Sequence, residues 1–431
     1  MEIKRDKYLN ELIEKKNNKM IKVITGLRRS GKSYLLNNLY KNYLIKNGIE
    51  ESQIISFAFD KMEDVMKLDK YLKEEETILY VNSKNYYINS KKFILYIKDI
   101  TSSNKTYYLL LDEIQLLDKF VMTLNSFISY DNFDVYVTGS NSKMLSYDVL
   151  TEFRGRGDQI HIYPLSFKEY FNSVNLSFEE AYLEYQYFGG MPYLLELKDS
   201  SKKEQYLKNL FSETYIKDIT ERNEIKDIDS FKKLLEVLAS SIGSYTNPTK
   251  LEKTFKSKEN ITYNHISIKN HIEYIKNSFL LEEALRYDVK GKKYIGSNSK
   301  YYFTDIGLRN ALINFRQNEP THIMENIIYN ELIIRGYSVD VGIVEINEKN
   351  EKGNYVKKQL ETDFICNRLN EKIYIQSCYS LELLEKINQE KKSLLNINDN
   401  FKKIIIVKDS IKKYYTEEGI EIISLKEWLL N

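Results

Sequence analysis

Residues 22–33 read Lys22-Val-Ile-Thr25-Gly26-Leu27-Arg28-Arg29-Ser30-Gly31-Lys32-Ser33: an apolar strand, a turn with two glycines, and the start of a helical run to about Asn47. The stretch Gly26–Ser33 fits G-x-x-x-x-G-K-[ST], and it stands between a strand and a helix, where that pattern has a mechanism. The glycines let the backbone turn tightly, so that successive N–H groups and the positive end of the helix face phosphate oxygens. Lys32 supplies a point charge to β- and γ-phosphates, and Ser33 offers its hydroxyl to Mg²⁺. All eight residues, Gly26, Leu27, Arg28, Arg29, Ser30, Gly31, Lys32 and Ser33, are candidates for binding a nucleotide.

Such a loop needs an acidic partner. Tyr107-Tyr-Leu-Leu-Leu-Asp112-Glu113 is an apolar strand closed by two carboxylates. The first can hold Mg²⁺ through water, and the second can polarise an attacking water. Asp112 is therefore a metal candidate with Ser33, and Glu113 the candidate general base. A third strand, Asp134-Val-Tyr-Val-Thr138-Gly-Ser140-Asn141, ends in small polar residues. Ser140 or Asn141 can contact the γ-phosphate, or merely cap the next helix. Glu152-Phe-Arg154-Gly-Arg156-Gly157 then holds two of only eleven arginines in the chain. Arg154 and Arg156 are candidates to stabilise a transferring phosphoryl group, in their own subunit or a neighbour's, with a salt bridge as the competing use. Continuous apolar strands at 22–25, 54–59, 107–111 and 135–138 alternate with helical stretches, which predicts a parallel sheet covered on both faces.

Composition sets the outer limits. A chain of 431 residues exceeds one typical core and predicts several domains. Its 64 Lys+Arg against 62 Asp+Glu leave a net charge of +2, so any basic surface must be local. Two cysteines, Cys366 and Cys378, exclude a disulfide framework and a four-thiolate zinc site. The histidines His161, His265, His271 and His322 have no zinc spacing and read as ordinary. The start, Met1-Glu-Ile-Lys-Arg-Asp, has no signal-peptide character, and no apolar run reaches the ~20 residues of a membrane span, so a cytoplasmic protein without a membrane partner is expected.

Beyond residue 167 long amphipathic runs replace the strands. Asn247-Pro248 opens a segment of helices followed by a strand over 279–287, a turn at Lys290-Gly-Lys292-Lys293, and a return through 300–303. That order resembles a winged helix, in which the third helix reads DNA and the hairpin meets its backbone. Lys290, Lys292 and Lys293 are the candidate phosphate contacts; a purely packing role is the alternative. The final third carries Glu325 and Glu331 on a helix, then strands bearing Asp363 and Gln376. It resembles the restriction-endonuclease-like fold, whose metal site takes an Asp on one strand and Glu-x-Lys on the next. Here Gln376 and Cys378 replace the Glu and the Lys, removing a Mg²⁺ ligand and the water-activating cation, although Glu325 and Asp363 could supply two oxygens. No cleavage is expected.

Together with Tyr163-Pro-Leu-Ser-Phe-Lys-Glu-Tyr170, Phe188-Gly-Gly-Met-Pro192, Tyr215-Ile-Lys-Asp-Ile219 and Lys300-Tyr-Tyr-Phe-Thr-Asp-Ile-Gly307, these motifs resemble the AAA-type P-loop ATPases of archaeal type and their bacterial counterparts that carry a C-terminal domain of unknown function. The resemblance covers nearly the whole chain. It implies ATP and Mg²⁺ as cofactors and favours Arg156 over Arg154 as an arginine finger. The expected architecture is α/β: a P-loop NTPase core over 1–165, a helical lid over 166–230, a winged-helix-like domain over 231–315, and a nuclease-like domain without cleavage over 316–431. The expected activity is Mg²⁺-dependent ATP hydrolysis that drives conformational change in a DNA- or protein-associated process, in a homo-oligomer. The competing readings are a DNA- or protein-binding scaffold with ATP as a structural switch, and an ATP-gated nuclease.

Overall fold

Among the described residues, seven strands belong to the first of two units, Met1–Tyr163 and Pro164–Asn431, into which chain contacts divide the protein. They are β1 (Ile21–Gly26), β2 (Ile54–Ala58), β3 (Ile78–Tyr80), β4 (Tyr86–Ile88), β5 (Tyr107–Asp112), β6 (Phe133–Thr138) and β7 (Gly157–Ile162). The structure is a computed structural model that describes residues 3–81, 86–139, 153, 155–259, 261–296, 298–317, 319–349, 354–380 and 384–431. Ser140, Asn141 and Arg154 lie outside the described residues.

The main sheet has the order β2-β5-β6-β1-β7 with every pair parallel. β1 and β5 are buried at every position, as their unbroken apolar runs require of strands covered on both faces. Side chains alternate between faces, so each strand feeds two cores. Leu109 and Leu111 pack with Val23, Phe57 and Phe93. Tyr108 and Leu110 pack on the other side with Leu36, Tyr40, and Tyr8 and Leu12 of the helix Asp6–Glu14. The acidic strand β5 is not adjacent to the loop strand β1. β6 lies between them and brings Thr138 level with both.

The second core contains a buried ion pair. Lys22 on β1 and Asp134 on β6 are 0% and 3% exposed and bonded to each other. Asp134 Oδ2 also accepts from Tyr136 Oη at 2.8 Å and from the Asn17 amide at 3.0 Å. Burial lowers the Lys22 pKa, and the adjacent Asp134 charge works against that shift.

The second unit holds β8 (Leu281–Ala284), β9 (Arg286–Asp288), β10 (Lys293–Tyr294), β11 (Lys300–Phe303), β12 (Ser338–Lys349), β13 (Tyr355–Arg368), β14 (Glu371–Cys378), β15 (Lys402–Val407), β16 (Tyr414–Tyr415) and β17 (Glu421–Ser424). Helices Ile228–Ser240, Pro248–Thr254 and His265–Asn277 precede β8, which pairs antiparallel with β11. An eight-stranded mixed sheet follows the order β10-β9-β12-β13-β14-β15-β17-β16. The strand expected to run unbroken over 279–287 is thus divided. Its second part, β9, leaves the hairpin to pair parallel with β12. Val289 is buried in the core of the larger sheet with Val344 and Ile365, its amide donates to Ile343 O at 3.0 Å, and the pairing covers the edge of β12.

Two glycine motifs of the sequence meet in this unit. The Gly190 amide donates to Asp305 Oδ2 at 2.7 Å, and the Leu308 amide to Asp305 Oδ1 at 2.9 Å. A Cβ on Gly307 would collide with the Phe188 carbonyl, and one on Gly189, at φ +75°, with the Asp305 carboxylate. Phe188-Gly-Gly-Met-Pro192 and Thr304-Asp-Ile-Gly307 are two halves of one close backbone contact.

Candidate functional site

The phosphate loop leaves β1 at Gly26, where a Cβ would strike the Ile162 carbonyl of β7. Arg29 and Gly31 take left-handed conformations, at φ 69° and 99°, which turn the chain into the helix Lys32–Tyr34 and its continuation to Lys46. Leu27 is buried, Arg28, Arg29 and Ser33 are exposed, and Lys32 is 6% exposed. Lys32 Nζ donates to the carbonyl oxygens of Gly26 and Leu27 at 3.0 Å each. Burial brings its pKa down to about 8, and the charges of Glu113 and Asp112 oppose that shift. The structure thus places the ammonium within the field of both carboxylates. Ser30 Oγ is fully buried and has no hydrogen-bond partner among the described residues.

Asp112, 7% exposed, ends β5 and accepts a hydrogen bond from Thr138 Oγ1 of β6. The Glu113 amide donates to the same hydroxyl at 3.3 Å, and Gln115 Nε2 donates to Glu113 Oε2. Glu113 sits at φ 53°, a left-handed position that costs a non-glycine residue about 1 kcal/mol and turns its carboxylate away from the strand direction. Thr138 and Gln115 are therefore the residues that hold the two acids. Their signal in the sequence is only a small polar side chain at a strand end and a polar one in the turn after it.

Two further residues border the loop. Arg5, 4% exposed, donates to Ser30 O at 3.3 Å and to Tyr163 O at 2.7 Å, and lies 4.7 Å from the Tyr8 ring centroid. His161, opposite Thr25 in the β1–β7 register, meets Thr25 Oγ1 at 3.1 Å. Burial, with the Lys32 charge second, lowers its pKa to about 3. Between pH 6.5 and 3 the unfolded chain then binds a proton that the folded chain refuses, so stability should fall as pH drops through that window. In urea titrations at about pH 7 and pH 4, His161→Gln should lose part of the acid destabilisation seen in the parent. An unchanged difference would count against this assignment.

Arg156 is exposed, and its carbonyl accepts from the Ile21 amide at 2.8 Å. It therefore stands at the start of β1, whereas the loop leaves the other end of that six-residue strand, roughly 17 Å away. The structure does not bring Arg156 to its own phosphate loop. In the second unit, Lys290 Nζ donates to Glu345 O at 2.7 Å, while Lys292 and Lys293 are exposed. Cys378 is buried and donates to Ser380 O at 3.2 Å. No helix among the described residues is long and apolar enough to cross a membrane.

A parallel α/β sheet with a lysine-bearing phosphate loop on one strand and an acidic pair on another, one strand removed, defines a P-loop nucleotide-binding protein. A family model for an AAA domain matches residues 18–171, and one for a domain of unknown function matches residues 179–319. The chain is 33% identical over 441 residues to an uncharacterized protein of Haemophilus influenzae, across 99% of this chain and 98% of that one. It is 29% identical over 458 residues to an uncharacterized protein of Methanocaldococcus jannaschii, across 99% and 92%. Among solved structures, the Aeropyrum pernix ORC2 protein in its ADPNP–ADP complexes aligns with 76% of this chain and 92% of its own, at 11% identity and a TM-score of 0.39. The chain belongs to the family of AAA-domain P-loop proteins that carry a C-terminal domain of unknown function.

Proposed function

We propose that the first unit binds ATP with Mg²⁺ and hydrolyses it, and that the cycle drives conformational change in a DNA- or protein-associated process. The observation that carries this reading is Lys32, buried on its own loop carbonyls in the field of Asp112 and Glu113. The orphaned Ser30 hydroxyl, together with carboxylates held by Thr138 and Gln115, fits a nucleotide and its cation.

In this reading Lys32 exchanges carbonyl oxygens for phosphate oxygens, and the loop amides after Gly26 cradle the remainder. Ser33 and Asp112 would hold Mg²⁺, which when bound neutralises charge on the phosphates. Glu113 takes the proton of the attacking water on its carboxylate, and Gln115 fixes that carboxylate's orientation. Arg156, exposed and remote from its own loop, can serve as a finger only on a second copy, so a homo-oligomer goes with this reading. Exposed Lys292 and Lys293 are the points where nucleic-acid phosphates would be met.

The test is calorimetric titration of the full chain with ATP and Mg²⁺, followed by phosphate release with and without DNA. Saturable binding with turnover is the expected result. A chain that binds no nucleotide refutes the proposal, and binding without turnover leaves only the structural-switch reading.

A further inference from the structure

The second unit contains a polar cavity of about 390 Å³. Its walls bring together carboxylates that the sequence reading assigned as remnants of a metal site, and one residue that reading left unused. Lys300 of β11 is 4% exposed and donates to Glu325 Oε1 at 2.9 Å and to Glu361 Oε1 at 2.7 Å. Tyr302 Oη donates to the same Glu325 oxygen at 2.6 Å. Asp363 Oδ2 accepts from the Ser377 amide at 2.7 Å. Gln376 accepts from the Asp363 amide at 3.3 Å and donates to Glu390 at 2.7 Å.

Placement alone shows that Lys300 is not an incidental neighbour. It comes from the β8–β11 hairpin, outside the strands β12–β14 that carry the nuclease-like pattern. Its ammonium also lies 5.6 Å from the Tyr245 ring centroid, a second favourable contact for a cation. An ammonium stripped of water is costly unless charge and hydrogen bonds replace its hydration. Here they do: Glu325 and Glu361 accept from the buried Lys300 ammonium at 2.9 and 2.7 Å, and that positive charge already occupies the space between them. The residues present therefore do not fit an added divalent cation.

We infer that this carboxylate pocket carries a built-in cation, with the ammonium of Lys300 filling the place that a divalent cation would take between Glu325 and Glu361. The inference stands independently of the nucleotide site. It explains how the pocket keeps Glu325, Glu361 and Asp363 together without Gln376 being acidic. It also makes the pocket a joint between the hairpin and the large sheet instead of a reaction centre. Removing the ammonium should leave Glu325 and Glu361 without their cation in a pocket that Asp363 also lines, oxygen donors of the kind that draw hard divalent cations.

The experiment is a Mn²⁺ titration of the nucleotide-free full chain, read by the EPR signal of free Mn²⁺. The wild type should take up no Mn²⁺ at the pocket. Lys300→Met should bind one ion at least about tenfold more tightly, and Lys300→Met with Asp363→Asn should lose it again. Equal uptake by wild type and Lys300→Met, or none by either, would overturn the inference. So would DNA cleavage by the wild type that disappears in Asp363→Asn. If Lys300→Met does not fold, Mn²⁺ must restore its circular dichroism, and an unfolded variant indifferent to Mn²⁺ would equally overturn it.

Discussion

Lys32→Ala should abolish measurable ATP binding, while Glu113→Gln should retain it and slow hydrolysis by about 10²–10⁴-fold. Lys32 is the cation buried inside the loop, so its loss removes an interaction of about 4 kcal/mol at 4 Å in a partly screened site, roughly a thousandfold in affinity. The change also strands the carbonyl oxygens of Gly26 and Leu27, which Lys32 now satisfies. Glu113→Gln is different in kind. It preserves size and keeps a hydrogen-bonding group beside Gln115, but it removes the proton acceptor. Calorimetry and phosphate release on the two variants separate the roles. Unchanged affinity in Lys32→Ala would dismiss the loop as the binding site, and wild-type turnover in Glu113→Gln would dismiss the base.

A second large effect should come from the start of β6, where it pairs beside β1. Asp134→Ala should destabilise the first unit by about 3–5 kcal/mol, because it leaves Lys22 charged and fully buried with no counterion. Tyr136 Oη and the Asn17 amide lose their acceptor at the same time. Replacing both partners with apolar residues, Lys22→Met and Asp134→Leu, should recover most of the loss, since neither charge then needs hydration. Urea unfolding of the single and double variants decides the point. Equal losses in both would show that packing around Tyr40 and Tyr136, not charge, sets the cost.

The phosphate loop was legible because everything it needs is local: an apolar strand, eight residues of turn, and a helix start. Asp112 and Glu113 were legible for the same reason, as two acids closing one apolar run. What escaped depends on pairing between distant segments. The insertion of β6 between β1 and β5, which makes Thr138 the residue that holds Asp112, leaves no mark in the spacing of the motifs. Arg5 carries no mark of its role in the charged start Met1-Glu-Ile-Lys-Arg-Asp, and His161 reads as an ordinary histidine until β7 sets it beside Thr25 and the loop. Lys300 precedes Glu325 by 25 positions, so a search for a lysine two residues after an acid on one strand passes over it. Beyond the division of the expected hairpin stands Val289, whose apolar character gives no hint of which sheet will bury it.

The contact between Gly190 and Asp305 spans 115 positions, and the Phe167 amide reaches Glu331 Oε1 at 2.6 Å across 164. During synthesis, then, the opening helix of the second unit has no partner for its first amide until residue 331 has left the ribosome. The main sheet of the first unit is complete in sequence by Tyr163, because β7 pairs beside β1. At about 5–20 residues per second, those two moments are roughly ten to thirty seconds apart. Over that interval the emerging polypeptide holds every strand of the first sheet and trails a segment whose partners at 305 and 331 are not yet made. Phe167, Phe178 and Tyr182, which lie within 16 positions and are buried against one another in the completed chain, are the aromatic contacts this segment can make before those partners arrive.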